Sequence, residues 1–518
     1  MRVFNFAFCS IAKRHHLRML TWTGLIAVSS CTLGPDFKRP SSPEDVKDYT
    51  AHAEAEQALS TLAFGKELPG EWWTLFHSKP LTALIEQAIK NNPDLQSAQA
   101  TLIQAQETVR STQGSLLPAL DASGYGTRQQ VSGAQFGSPG HAGSIFSLYN
   151  TSVNVSYTLD VFGAIRRQIE SLDAQAEYQR FQLEGTFLTI ASNIVTTAIQ
   201  EASIRAQIAA LLEIINLQTQ QLDIIKQQVE LGGASKIAIL AQQSALEQTK
   251  TNLPPLQQQL AQLHNRLKVL VGNFPSSDLA AQFELDELKL PANLPLSLPS
   301  QLVEQRPDIR AQEALLHASS AQIGVVIASA FPNFTLRANV ASLATQTSNL
   351  FTPGSEIWNM TSSLAQPLFH GGQLTHQREV AKASYLQLAA QYRSTVLQAF
   401  ENVADTLNAL HFDDTELQTQ QANERATKDT LTLTEAQQKI GTMSYLEGLT
   451  AQRNYQQARM GLIKAKATQL ADTAALFQAL GGGWWKRADL SQRLINQLPP
   501  KPKSNSPIEQ FKQFITGQ

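Results

Sequence analysis

Two stretches of the chain, Ala164–Leu231 and Gln373–Ile440, contain no proline and run for the same length. As single helices of roughly 70 residues, each would extend roughly 100 Å at about 1.5 Å per residue. Leu183, Phe187, Ile190, Ile194 and Ala198 recur at spacings of three or four, as do Val396, Phe400, Val403, Leu407 and Leu410. That is a narrow seam of coiled-coil type. The other faces are mostly Gln, Ala and Thr. A glycine turn at Leu231-Gly232-Gly233, and another at Ile440-Gly441, sends the chain back along a shorter helix, about 235–271 and 443–480. Glycine suits such a tip because it accepts the positive φ that ends a helix. A hairpin this long has one stripe to bury and too much polar surface for a thick core, so no compact globule satisfies it.

The chain also repeats itself. Asn92-Pro93-Asp94-Leu95 recurs as Arg306-Pro307-Asp308-Ile309, and Leu117-Pro118 as Phe331-Pro332. Leu231-Gly232, Ser235, Leu240 and Gly272 recur as Ile440-Gly441, Ser444, Leu449 and Gly481, always 209 positions later. Each copy opens with a helix, about 80–115 and 299–330. Pro93 and Pro307 mark an end or bend in it, since an interior proline removes a bond and clashes with the preceding turn. Two extended segments follow, near 118–131 and 148–162, then near 332–346 and 355–369. Gly/Ser-rich or Pro-Gly loops join them. Tyr149, Thr151, Val153, Val155, Tyr157 and Leu159 alternate with small or polar residues, as do Phe334, Leu336, Ala338 and Val340. This alternation predicts strands with two unlike faces. The fold class is therefore α+β, with internal duplication. Four strands per chain are too few to close a barrel around an open lumen. Self-assembly resolves both problems, and three chains in a cyclic homotrimer would supply twelve strands.

The N-terminus reads as a targeting segment. The basic stretch Lys13, Arg14, His15, His16, Arg18 precedes the short apolar run Met19–Val28 and then Ser29-Ser30-Cys31. The run is too short for a spanning helix, which needs roughly 20 apolar residues. Basic, apolar and small residues in this order form a secretory signal. Small residues before Cys31 resemble a lipobox, in which the cysteine is acylated, and Thr32 rather than Asp resembles the outer-membrane sorting pattern. The basic stretch lies far from Met1, which suggests a start codon further in. Beyond Cys31 no helix-length apolar run occurs, so any membrane crossing requires a closed β-barrel. The net charge of −2 argues against a polyanion surface and so against nucleic acid. Cys9 and Cys31 are the only cysteines, which excludes a disulfide framework and a zinc motif.

Several pieces in this order resemble the TolC-like outer-membrane efflux channels, in particular the lipoprotein branch that serves resistance-nodulation-division pumps. They are Cys31-Thr-Leu-Gly-Pro-Asp36-Phe-Lys-Arg-Pro40, Trp72-Trp73-Thr-Leu-Phe76, Arg306-Pro307-Asp308-Ile309-Arg310 and Leu480-Gly481-Gly482-Gly483-Trp484. The resemblance spans Cys31 to about Trp485. It implies a homotrimeric channel-tunnel: a twelve-stranded barrel in the outer membrane, a helical barrel crossing the periplasm, and an equatorial belt from 60–80, 272–298 and the chain after 484. It also implies a periplasmic adaptor and an inner-membrane pump as partners, and outer-membrane lipid around barrel and anchor. The chain then divides into a signal peptide (1–30), a lipidated and equatorial segment (31–79), a first repeat (80–272), a linker (273–298), a second repeat (299–483) and an equatorial segment with a tail (484–518).

No catalyst or cofactor is expected. The histidines form no metal-protease pattern, His370 and His376 lack a third ligand, and Leu231-Gly232-Gly233-Ala234 is not followed by a phosphate-loop lysine. The sharper candidates lie after the second tip. In the family a Leu-Leu-Asp-Ala-Gln-Arg run follows the tip glycine, and acidic rings line the aperture. Here the run is Leu449-Thr450-Ala451-Gln452-Arg453, with Thr450 where the family has aspartate. Glu447 stands one turn earlier on the same face. Leu446, Glu447, Thr450 and Arg453 are the candidate periplasmic gate, and Gly232, Gly233 and Gly441 the hairpin tips. Glu447 reads either as a cation-attracting ring in the trimer or as a solvated tip residue that meets the adaptor. A link from Lys236 to Glu447 is a further expectation. The resemblance implies a passive export duct for drugs, toxic small molecules or metal ions. A protein-secretion duct and a non-conducting coiled-coil spacer are the alternatives.

Overall fold

The computed structural model describes residues 32–42, 48–49, 62–132, 143–278, 281–291, 294–440 and 442–487. Cys31, Gly441 and the tail after Arg487, all singled out above, lie outside these residues.

The first proline splits the opening helix in two: α1, Lys79–Asn91, and α2, Pro93–Gly114. Asn92 sits at the joint in extended conformation, and its Oδ1 accepts from the Asp94 and Leu95 amides at 2.9 and 3.2 Å. An Asn N-cap followed by proline at N1 is a strong helix start, because the proline's missing donor is one the helix would leave unused. Pro307 acts the same way in the second half. It separates α6, Pro299–Gln305, from α7, Pro307–Ala328.

The two proline-free stretches are each one unbroken helix of 67 residues, α3 (Ala164–Glu230) and α8 (Gln373–Lys439). Leu183, Phe187, Ile190, Ile194 and Ala198 of the expected stripe are buried, as are Val403, Leu407 and Leu410. The first returning helix differs from the expectation. It is two pieces, α4 (Lys236–Lys250) and α5 (Leu253–Leu270), because Pro254-Pro255 cannot continue a helix from the preceding turn. The second return, α9 (Tyr445–Ala479), has no proline and runs straight through.

The strands are β1 (Leu62–Phe64), β2 (Ala119–Val131), β3 (Ser144–Leu159), β4 (Leu294–Leu296), β5 (Asn333–Ala344) and β6 (Glu356–Ala365). The long ones form a four-stranded antiparallel sheet in the order β2-β3-β5-β6. The short β1 pairs in parallel with β4, which joins 62–64 to 294–296.

The core includes Leu294 and Leu296 of β4. Trp72, Trp73 and Phe76 form a short 3-10 turn whose rings meet Phe477 and Phe187 at 5.6 to 6.2 Å. Rings tilted at such distances are favourable beyond their buried area. Arg487, near the described C-terminus, stacks over Phe187 and pairs with Glu184, which ties the chain after 484 to the same cluster.

Candidate functional site

The sheet and the tips are the two ends of the molecule where chemistry meets its surroundings. Strand register sorts the sheet's side chains into two faces. One row reads Ala122, Val153, Val340, Trp358, and the neighbouring row Leu120, Val155, Ala338, Met360. Trp358, Met360 and Val340 are 78, 75 and 63 % exposed. The opposite face carries Asp121, Asn154, Asn339 and Asn359 in one row. There Asn339 donates from Nδ2 to Asn154 Oδ1 at 2.6 Å, and Ser123 lies 2.9 Å from Ser152. A sheet with one apolar and one hydrogen-bonded polar face, both solvent-accessible in the single chain, fits a wall between lipid and water. Its outer strands β2 and β6 each have an unpaired edge in the single chain, a template for another strand. Among the described residues no helix is long and apolar enough to cross a membrane.

The sheet enters the helices through two corners. At the first, Gly163 has φ +79°, and a side chain there would strike Thr32. The Asp160 carboxylate accepts from the Ile165 and Arg166 amides at 3.0 and 2.9 Å and so caps α3. The segment after residue 31 covers this corner: Leu33 donates its amide to Phe162 O, and Arg167 reaches Leu33 O and Asp36. At the second corner Gly371 and Gly372 turn with positive φ, and Leu368 and Phe369 stand 91 and 87 % exposed. His370 and His376 belong to this corner, and among the described residues no set of three ligating side chains forms there.

At the far end, α3 closes with Gly232 at φ +75°, and the Gly233 amide donates to Gln228 O at 2.7 Å. This is the Schellman arrangement. Gly233 itself does not need the positive φ expected of it. The second tip repeats the closing bond, from the Thr442 amide to Gln437 O at 3.0 Å.

The candidate gate residues occupy the open face of the first turns of α9. Leu446, Glu447, Thr450 and Arg453 are exposed, while Gly448, Leu449, Ala451, Gln452 and Tyr455 turn inward. Gly448 approaches Gln438 of α8 so closely that a Cβ would lie 3.0 Å from its Oε1. Glu447 serves the start of its own helix. Its carboxylate accepts the Ser444 amide at 2.9 Å, and Ser444 Oγ accepts the Glu447 amide at 3.4 Å. This reciprocal capping box starts α9. The hydrogen bonds from Ser444 hold the carboxyl below its ordinary range, so it is charged at neutral pH. The expected pairing with Lys236 does not form within the chain. Contacts that sequence reading missed tie the two hairpins instead. The Tyr445 hydroxyl donates to Gln242 Oε1 of α4, and Gln242 donates to Gln218 O of α3 at 2.8 Å. Arg459 pairs with Glu213 of α3 at 3.0 Å and donates to the Tyr455 hydroxyl at 2.8 Å. Burial raises the Tyr445 phenol above its ordinary range, so it stays a donor.

Comparison with known proteins places these features in context. The outer membrane efflux protein family matches residues 84–273 and 298–482. The chain is 30% identical over 476 residues to the probable efflux pump outer membrane protein TtgC of Pseudomonas putida, covering 92% of this chain and 97% of that one. It is 27% identical over 470 residues to the cation efflux system protein CusC of Escherichia coli K12, covering 90% and 99%. Among solved structures, the outer-membrane channel OprN superposes with a TM-score of 0.80 at 24% identity, covering 88% of this chain and 100% of that one. CusC superposes with a TM-score of 0.76 at 25% identity, covering 88% and 100%. The chain belongs to the outer membrane efflux protein family.

Proposed function

We propose that the protein is the outer-membrane exit channel of a tripartite efflux system, working as a homotrimer with a periplasmic adaptor and an inner-membrane pump. The observation that carries this reading is the four-stranded sheet, apolar on one face, polar on the other and unpaired at both edges. Joining β6 of one copy to β2 of the next removes every edge after three copies and yields twelve strands. The strands span 10 to 16 residues, enough for a tilted crossing of a bilayer, which takes about 9–11. Below the sheet, α3 and α8 extend roughly 100 Å, long enough to reach toward an inner-membrane partner.

The common element order of 80–272 and 299–483 supports the reading of two copies of one unit, linked by 273–298 and belted by 31–79 and the chain after 484. The position of Thr32 at the first sheet–helix corner supports acylation of Cys31, because its chain neighbour then enters at the level where the wall meets the periplasm. Transport through such a duct is passive, and the family is one of channels rather than enzymes. Named relatives serve both organic compounds and cations: one is a toluene efflux pump protein, another a cation efflux protein. The cargo is therefore the property to measure. A deletion strain is scored for susceptibility to antibiotics, dyes, detergents and Cu, Ag, Zn and Co salts. Sensitisation to varied drugs assigns a multidrug pump, and sensitisation to metals alone a metal exporter. No change in either class would leave a redundant second channel or protein secretion as the alternatives.

A further inference from the structure

Asp413 lies on α8 with its side chain turned toward α9, 8 % exposed. Its Oδ2 is buried and receives no hydrogen bond from the described residues. The group that acts on it from α9 is another acid, Asp472. A further charge acting on it is Glu416, one turn along α8, again an acid. On α9 the basic side chains nearest Asp472 in sequence are Lys466, engaged by Asp286, and Lys464, which lines a groove with Ile199, Ser203 and Leu256. Those of α7 are held by Glu313 and Glu170. Two carboxylates cannot meet in a buried seam with no cation between them, so one proton must stay. The positions 209 residues earlier are Ile204 and Leu263, both buried. The first hairpin thus closes the same seam with hydrocarbon, and the second closes it with acids.

We propose that Asp413 and Asp472 form a proton-held latch between α8 and α9, closed when they share a proton and loosened when the proton leaves. Burial first, then the nearby charge of Asp472, raise the Asp413 carboxyl to about 7. The sign follows from linkage: a carboxyl raised on folding stabilises the fold fully below the ordinary Asp range, and that contribution is lost as pH rises through about 7. The latch is therefore shut in acid surroundings and released in mildly alkaline ones. Both acids sit about 40 Å above the second tip, roughly 26 residues at 1.5 Å each. Loosening there frees α9, which carries Leu446, Glu447 and Thr450, from its partner helix.

The test uses the purified full-length protein in detergent with a chelator, melted at pH values from about 5.5 to 8.5. The native protein is expected to lose at least about 2 °C of melting temperature across that range relative to the Asp413→Asn/Asp472→Asn protein. A second double variant, Asp413→Ile/Asp472→Leu, copies the first hairpin and is expected to be equally insensitive to pH. Native and variant proteins with the same pH dependence would overturn the latch. So would recovery of the acid-side melting temperature at pH 8.5 on adding Ca2+ or Mg2+, since the pair would then be a cation site. Bilayer conductance forms the second arm, and it rests on the channel reading. Native conductance is expected to rise with pH and that of the variants to stay flat. Absence of any conductance with the melting difference intact would refute the channel and leave the latch standing.

Discussion

Arg306 donates from Nη1 to the main-chain carbonyl of Ala479 at 2.9 Å, and thereby ties the start of α7 to the end of α9. Asn92 makes the corresponding bond to Leu270 O at 2.8 Å, at the end of α5. Leu270 and Ala479 are 209 positions apart, the same interval that relates the hairpin tips. The residue before each Pro-Asp therefore satisfies a carbonyl that the returning helix leaves open. Arg306 adds a positive charge at that helix end, which favours the negative end of its dipole. Arg306→Ala is expected to cost about 1–3 kcal/mol, because a charged hydrogen bond is lost and its acceptor is buried. Asn92→Ala loses a neutral bond and a cap, at about 1–2 kcal/mol. Chemical unfolding of each variant measures both, and an Arg306→Ala protein as stable as the native one would remove this role.

The sheet makes a directional prediction. Val340 and Asn339 are neighbours on β5 and face opposite ways. If the apolar face meets lipid, Val340→Arg costs about 2–4 kcal/mol near the bilayer midplane, whereas Asn339→Arg enters a wet lumen and is tolerated. Assembly into a heat-modifiable trimer in native membranes reads the difference. Equal loss from both substitutions would refute the two-faced wall.

Between the hairpins, the Tyr445–Gln242 bond and the Arg459–Glu213 pair are polar ties from α9 to its neighbours α4 and α3. Tyr445→Phe removes one donor and leaves Gln242 Oε1 without it. Arg459→Ala removes an ion pair about half exposed on its Glu213 side, which alone is worth little. The double variant is expected to raise single-channel conductance in planar bilayers by more than the two single variants together, since both ties restrain the same helix. Unchanged conductance in the double variant would show that these contacts do not hold the tip.

Much of this was legible from residues alone, for identifiable reasons. The proline-free stretches fixed the long helices within a residue of their ends, and period-two alternation found β3 and β5. Pro254-Pro255 was a visible signal for the break between α4 and α5, and the repeat obscured it because α9 has no proline there. The Asp413–Asp472 pair was not legible. The residues are 59 positions apart on helices whose rotation only packing determines, and nothing in a sequence separates a buried aspartate from a solvated one. Tyr445 escaped for the same reason, since its partner lies in the other hairpin. Glu447 was found by position, but its bond to Ser444 went unread, although Ser444 and Glu447 have capping-box spacing.

That bond changes how Glu447 must be tested. Glu447→Ala removes a charge and breaks the cap of α9 together, so a change in selectivity would have two causes. Glu447→Gln keeps an oxygen that can accept the Ser444 amide and removes only the charge. Ser444→Ala does the reverse. If three Glu447 carboxylates ring the aperture, Glu447→Gln lowers cation over anion permeability and Ser444→Ala leaves it near the native value. The lowered pKa adds a pH profile. The carboxylate favours the folded tip above the ordinary Glu range, and that contribution fades as pH falls through its depressed value. Native cation selectivity should therefore be level through neutral pH and decline only in acid below the usual Glu range. Reversal potentials across a salt gradient measure all three proteins. Native selectivity in Glu447→Gln would assign Glu447 to the surface that meets the adaptor, with its carboxylate serving the helix start.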